Sequence, residues 1–327
     1  MKKSFTFIAI ILLLLMLLCS CSSKGLKGKG YNTNTIRLMT GITYASAVQQ
    51  IMQIDELLEK SLPEGVTANW SYTGPTSADC RDALIAGKID IGAISIGTYI
   101  TAVENGMPFV ILSGTLPNPV ALYSTRETIN SFEDIKAEHT IGMPGKGSNF
   151  EIIFSLRCKE VFGEAAKFSG NIVPMSDADM LTLIQGADSY DLYNVGFPTM
   201  QKISGLGNAK LIDDLVVTAA KYNIGLVFVT TEDFYKNNPV LVDAFRTAAD
   251  QAIRSMKENA KETAEKLSEY YQGVTAEEVA SLLDRCQPNP NITNYDDVAD
   301  ILYEMGILAK PAKKFTDIPH YEDIPKG

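Results

Sequence analysis

Four Ser or Thr residues stand three positions ahead of an acid or amide, each where a helix-like run begins: Ser46 with Gln49, Thr76 with Asp79, Ser148 with Glu151, and Ser176 with Asp179. Such a hydroxyl can accept from a first-turn amide while the acid returns to the amide of the hydroxyl residue. A single pair marks only a helix start. Four of them, each beyond a strand-like run, bring helix N-termini with free amides to the carboxyl ends of strands, where open α/β sheets hold ligands. The stretch Gly145-Lys146-Gly147-Ser148-Asn149 is the richest of these places. Its two glycines admit a ligand close to the backbone, Ser148 offers a hydroxyl, and Lys146 offers a charge. The chemistry this suits is reversible capture of a polar group. Bond-making signatures are missing: there is no GxSxG and no HExxH, and Gly142-Met143-Pro144-Gly145-Lys146 is too short for a phosphate-binding P-loop.

The remaining chemical residue types are sparse. His139 and His320 stand alone and suggest no metal site, and no cofactor is implied. Cys80, Cys158 and Cys286 are far apart, odd in number and without CxxC spacing. They read as buried free thiols, with one pairing among the three left open. A net charge of −10 disfavours nucleic-acid partners, which need clustered Lys and Arg.

The elements that must position these residues alternate. Strands are expected at 36–39, 66–70, 89–94, 109–112, 120–124, 140–143, 171–174, 192–195, 210–212 and 225–230, with helices at 43–60, from 76 to about 86, and at 98–104, 148–162 and 176–185. Alternation of this kind predicts an α/β architecture with parallel pairing. The last third is helical. Leu241, Phe245, Ala248, Ala252, Met256, Ala260, Ala264, Leu267 and Tyr271 form one apolar stripe, on a single long helix or on two broken near Asn259. Thr275 and Glu278 open a further helix, another covers 294–305, and the tail from Pro311 wraps the surface.

The N-terminus has its own chemistry. Met1-Lys2-Lys3 is basic, and the apolar run 5–18 falls short of the roughly 20 residues a membrane span takes. Its exit, Leu18-Cys19-Ser20-Cys21, resembles the bacterial lipobox, with the small Ser20 ahead of Cys21. That resemblance implies a signal peptide at 1–20, lipid on Cys21 and a flexible tether over 21–35.

Several segments of the body resemble the type II solute-binding proteins of ABC importers. Ala83-Leu84-Ile85-Ala86-Gly87-Lys88-Ile89-Asp90-Ile91-Gly92 is similar to their ALxxGxxDIG signature. Ser131-Phe132-Glu133-Asp134-Ile135-Lys136 is similar to their DLKGK turn, with Ala137 where Gly is usual; 141–148 resembles their ligand loop, and Phe234 with Pro239 their lead into the long C-terminal helix. The nearest group binds nitrate, sulfonates, taurine and related molecules, and includes pyrimidine-precursor binders. The resemblance implies two lobes with a ligand cleft between them: lobe 1 over 36–118, lobe 2 over 119–224, and a return to lobe 1 with C-terminal helices packed on it over 225–327. It implies crossings between the lobes near 116–121 and 223–229. Carried over by position, the ligand contacts are Thr43, Tyr44, Ser46, Thr73, Ser95, Gly97, Thr98, Lys146, Gly147, Ser148, Asn149, Tyr193 and Phe197. Tyr44, Tyr193 and Phe197 serve equally well as core, and Ser148 equally well as a simple cap.

The function so implied is that of a membrane-anchored, extracytoplasmic, monomeric binding lipoprotein. It captures a small solute, a sulfonate-like anion first and a heterocycle second, for a permease and ATPase. A sensory lipoprotein of the same fold is the alternative. Enzymes that join porphobilinogen or make a pyrimidine share the fold, but they are cytosolic, and the pyrimidine synthase's Cys-rich motif is missing here.

Overall fold

The computed structural model describes residues 28–325 apart from 42, 75, 187–189 and 272. The expected signal segment, Cys21 and tether residues 21–27 lie outside the described residues; of the rest of the expected tether, Tyr31 is buried, Asn32 N donates to Asn238 Oδ1 at 2.8 Å and Thr35 already opens the first strand, so 30–35 belong to the body. Ten strands are distributed between two five-stranded sheets.

The first sheet is built from β1 (Thr35–Met39), β2 (Thr67–Tyr72), β3 (Ile91–Ser95), β4 (Phe109–Pro117) and β10 (Gly225–Thr231), in the order β2-β1-β3-β10-β4. The second holds β5 (Val120–Ser124), β6 (Ile141–Met143), β7 (Ile172–Pro174), β8 (Leu192–Gly196) and β9 (Lys210–Asp213), in the order β7-β6-β8-β5-β9. The chain is thus α/β and two-lobed, as expected. The pairing is mixed where parallel pairing was expected: β1 runs parallel to β2 and β3, and β6 to β7 and β8, while β10 is antiparallel to β3 and β4, and β5 to β8 and β9. The physical reason lies in the connections. Each parallel strand is reached through a helical crossover, whereas β5 and β10 bring the chain in from the opposite lobe and enter their sheets from the other end.

The helices are α1 (Ala47–Ile54), α2 (Leu57–Ser61), α3 (Ser77–Ile85), α4 (Ile96–Glu104), α5 (Asn149–Phe162), α6 (Asp177–Gln185), α7 (Thr199–Ser204), α8 (Val216–Lys221), α9 (Glu232–Asn237), α10 (Pro239–Glu258), α11 (Ala260–Ser268), α12 (Ala276–Arg285) and α13 (Tyr295–Glu304). The long apolar stripe divides between α10 and α11 at Asn259, whose φ of −123° and ψ of 43° are not helical. The single helix expected over 43–60 divides as well. It begins as a 3-10 turn at Tyr44–Ser46 and breaks at Glu56, which is left-handed at φ 52°. Asp55, beside the break, is tied by Lys266 Nζ of α11 at 2.7 Å. Helices α10 and α11 cover α1 and α2, whereas α12 touches α8 and α13 touches both α4 and α5, so the last two also reach the second lobe.

The chain passes from β4 to β5 through Asn118 and Pro119, and returns from α8 to β10 through 222–224. A third segment lies against the same place: Gly114 N donates to Pro290 O and Asn289 N to Thr115 O, both at 2.7 Å, and Asn223 Nδ2 donates to Asn291 O at 3.1 Å. Cys80, Cys158 and Cys286 are free and wholly buried, as read from their spacing. No described helix is long and apolar enough to cross a membrane.

Candidate ligand-binding site

The exits of β1 and β3 in one lobe and of β6 and β8 in the other come together at the junction between the sheets. After β1 the chain turns at Gly41, where a Cβ would lie 2.3 Å from Ser46 Cβ, so a side chain there would collide with the turn. Two buried glutamines brace this turn: Gln49 Nε2 donates to Met39 O at 3.1 Å, and Gln50 Nε2 faces Gly41 O and Thr43 O, each at 3.4 Å. Ser46 makes no cap bond, so its pair with Gln49 is not the capping box expected. The other expected boxes at Thr76–Asp79, Ser176–Asp179 and Thr275–Glu278 form in full. Ser95 caps α4, accepting from Thr98 N at 3.1 Å and donating to Thr98 Oγ1 at 2.7 Å.

In the second lobe Ser148 caps α5. Its hydroxyl accepts from Glu151 N at 3.3 Å and donates to Pro144 O at 3.1 Å. Glu151 does not return to Ser148; its Oε2 accepts from Gly147 N at 2.6 Å instead. Burial raises the Glu151 carboxyl above its ordinary range, against the pull of the Gly147 amide and of Lys146. Gly147 needs its lack of side chain, since its φ is +75°.

Beyond the contacts of α12 and α13, the expected loops of the two lobes meet at two places. At the first, Gly97 on α4 faces Gly147: a Cβ on Gly97 would lie 2.8 Å from Gly147 O and 2.5 Å from Ile152 Cδ1, and the Ser95 hydroxyl is 3.4 Å from the same carbonyl. At the second, the Tyr44 ring meets Phe197 edge-on with centroids 5.2 Å apart, and Tyr271 completes a triad at 5.5 Å from Phe197 and 6.2 Å from Tyr44. The hydroxyl of Tyr271 donates to Gln50 Oε1, which couples the triad to the Gly41 turn.

The thirteen expected contacts therefore separate. Ser95, Gly97, Thr98, Gly147 and Ser148 gather at the first meeting place, and Tyr44 and Phe197 at the second. Ser46 sits beneath the Gly41 turn. Thr43, Thr73 and Lys146 are exposed. Tyr193 is wholly buried in the core on β8, its ring edge-on to Tyr190 at 6.4 Å. Asn149 lies at the crossings: its Nδ2 donates to Gly225 O at 2.8 Å and to Asn118 Oδ1 at 3.1 Å, one partner from each passage between the lobes.

Three residues at the junction were not read from the sequence. Tyr271 was assigned only to an apolar stripe. Phe150, next to the expected loop, packs its ring edge against Gly196, 2.9 Å from where a Cβ there would be. Asp177 opens α6. Its Oδ2 accepts from Gly196 N at 3.3 Å, while its Oδ1 is shielded from water with no partner among the described residues. Burial pushes this carboxyl up to about 7, against the pull of the Gly196 amide. The legible signal was a surplus: Asp179 suffices for the capping box, leaving Asp177 without a task.

Among the described residues no group of His, Cys, Asp and Glu could hold a metal ion. Burial holds the Cys80, Cys158 and Cys286 thiols up at about 12, so none is a thiolate nucleophile near neutrality.

A family model described as NMT1/THI5 like matches residues 71–263, more than half of the chain. The chain belongs to the NMT1/THI5-like family. Its fold is that of solved periplasmic binding proteins. The alkanesulfonate-binding protein SsuA from Xanthomonas axonopodis pv. citri bound to MOPS superposes with a TM-score of 0.70 at 17% identity, over 86% of this chain and 96% of that one. The periplasmic aliphatic sulphonate binding protein SsuA from Escherichia coli gives 0.65 at 18%, over 86% and 95%. The periplasmic nitrate-binding protein NrtA from Synechocystis PCC 6803 gives 0.59 at 16%, over 76% and 69%. No curated protein matches the chain.

Proposed function

We propose that this member of the NMT1/THI5-like family is the extracytoplasmic, lipid-anchored solute receptor of an ABC importer. In this reading residues 1–20 export the chain, Cys21 carries lipid, the expected tether shortens to 21–29 because Tyr31 is buried, and lobes 36–118 and 119–224 close on a small molecule, with 225–327 returning to the first lobe. The observation that carries the proposal is the junction itself. Capped helix N-termini and aromatic rings from the carboxyl ends of both sheets converge on two interlobe contacts, Gly97 with Gly147 and Tyr44 with Phe197. A ligand held by both halves favours the closed arrangement because only there does it touch both. The remaining first-turn amides of α5 and the neighbouring Lys146 favour a sulfonate-like anion, against the Glu151 carboxyl that already holds the Gly147 amide. A second reading, a planar heterocycle, is favoured by the triad of Tyr44, Phe197 and Tyr271, whose rings offer stacking surface on opening.

Two measurements test the proposal. A thermal-shift series with alkanesulfonates, nitrate and pyrimidines should raise the unfolding temperature for at least one class, as RT ln(1 + [L]/Kd) requires, with the compound recovered unchanged. A chemically altered compound would point to an enzyme. Cys21→Ser should release the protein from the membrane fraction or leave an unprocessed precursor, since stable anchoring needs more than one acyl chain. Wild-type partitioning and mass in that variant would remove the lipoprotein assignment.

A further inference from the structure

Resting on the solute-receptor reading, we infer that Asp177 is the residue that selects the solute, by pairing with a nitrogen that carries hydrogens, and ideally a positive charge, on the ligand. The carboxylate stands at the carboxyl edge of the second sheet, where the exits of three strands come together. Asp177 follows β7, and its Oδ2 holds the amide of Gly196 at the end of β8. Gly145, beyond β6, is near Pro174 at the end of β7, with 3.8 Å between Pro174 Cβ and the place of a Cβ on Gly145. Phe197, one residue past Gly196, touches Tyr44 of the other lobe. Asp177 therefore holds the residue that immediately precedes an interlobe contact.

Its bonding is incomplete in a way that helix capping does not explain. Capping of α6 is performed by Ser176 and Asp179, which exchange both bonds of the box. An acid at the first helical position ordinarily favours the helix dipole from a solvated position. The Asp177 Oδ1 is instead shielded from water, has no donor, and has no Lys or Arg partner among the described residues. A buried ionised oxygen without a donor is costly, and protein interiors ordinarily satisfy such atoms. The missing partner is one that arrives.

Gly196 defines its shape. A Cβ there would meet Phe150 Cζ at 2.9 Å and Asp177 Oδ2 at 3.3 Å, so the glycine keeps an aromatic edge and a carboxylate next to each other. A carboxylate beside an aromatic ring suits an ammonium or an amino-substituted heterocycle. The solute then carries a nitrogen donor at this end, and any anionic end falls to the α5 amides on the neighbouring strand exit.

The test compares pairs of compounds that differ only at that group: taurine with isethionate, cytosine with uracil, and benzylamine with benzyl alcohol. Binding to the full mature chain is measured by titration calorimetry, for wild type and for Asp177→Asn, which keeps an acceptor for Gly196 N. Wild type should prefer the nitrogen-bearing member of at least one pair on the order of 10- to 100-fold, the range of a charge-assisted hydrogen bond. Asp177→Asn should reduce that preference to about 3-fold or less. Equal binding of both members by wild type, or an undiminished preference in Asp177→Asn, overturns the assignment of Asp177 and leaves the receptor reading standing. If no compound of any pair binds, the assignment falls, and the receptor reading for these classes falls with it.

Discussion

Gly97→Val will fold and will bind solute on the order of 100-fold more weakly than wild type, a loss equivalent to about 2.8 kcal/mol. Gly97 occupies the second helical position of α4, behind the Ser95 cap, with no left-handed torsion to preserve. Within its own lobe a branched side chain is therefore tolerated. The obstruction comes from the other lobe. Ile152 Cδ1 can rotate away from the new methyl groups, but the Gly147 carbonyl, 2.8 Å from the Cβ position, is main chain and anchored through Glu151. The lobes must stay apart by roughly the added van der Waals radius, and a solute that needs both halves loses one of them. Small-angle scattering should show a larger radius of gyration for Gly97→Val, unchanged by solute, with Gly97→Ala in between. If Gly97→Val binds as tightly as wild type and scatters identically, the contact between α4 and the Gly147 turn is not part of closure.

Asp177→Asn will be more stable than wild type at pH 8 and equal to it near pH 4, in the absence of solute. The carboxyl is raised from 3.8 to about 7 by burial, with the Gly196 amide pulling the other way. Its folded pKa therefore exceeds its unfolded one, so folding favours the protonated form. The associated stability is fully present below about pH 4 and is lost as pH rises through about 7. A displacement of that size corresponds to about 2–4 kcal/mol, or several degrees of unfolding temperature in a domain of this size. Asn cannot ionise, so the loss disappears, and the two curves separate from just above pH 4 and reach their full difference only above about pH 7. Thermal melts of both proteins at half-unit intervals from pH 4 to 8 decide it. A difference that does not change with pH would mean that Asp177 stays ionised throughout and is satisfied by water or by a donor of the protein.

The elements that the sequence announces most clearly are those with a local physical cause. Strands β5, β6 and β8 are short apolar runs between turn residues. Thr76, Ser176 and Thr275 cap their helices because hydroxyl and acid are three residues apart, which suffices for a box. Ser148 satisfies the same spacing, yet Glu151 turns to Gly147 N, since the Ser148 amide is already given to Gly145 O at 3.2 Å. Ser46 satisfies it too and does not cap, because at φ −99° and ψ 14° it already belongs to the 3-10 turn and lacks the extended backbone of a cap. The break at Glu56 has neither glycine nor proline to mark it, and the ion pair beside it comes from Lys266, 211 residues along the chain. The site divides in the same way. Gly147 and Gly97 were readable as positions on loops at strand ends. The role of Asn149 at the crossings, the partnership of Tyr271 with Phe197, and the idle oxygen of Asp177 depend on residues brought together from distant parts of the chain, for which spacing carries no signal.

The side chain of Asn149 acts as a fulcrum pin. Its amide grips Gly225 O and Asn118 Oδ1, Asn118 N donates to Ile224 O at 2.8 Å, and Phe197 N donates to Pro119 O at 3.2 Å. Both interlobe contacts are thus only one or two residues from the pivot, Gly147 on one side and Phe197 on the other. In a pair of jaws turning about that pin, what is gripped near the joint moves through a short arc while the tips sweep a long one. On the receptor reading proposed above, a small solute seated there would work at a mechanical disadvantage in force and an advantage in reach. On that reading a sub-ångström adjustment around it would be magnified into a wide change in the spacing of the outer rims, where a permease would make contact. The 289–291 segment laid over the same joint adds a third strap, bonded to Gly114 and Thr115 on one passage and to Asn223 on the other.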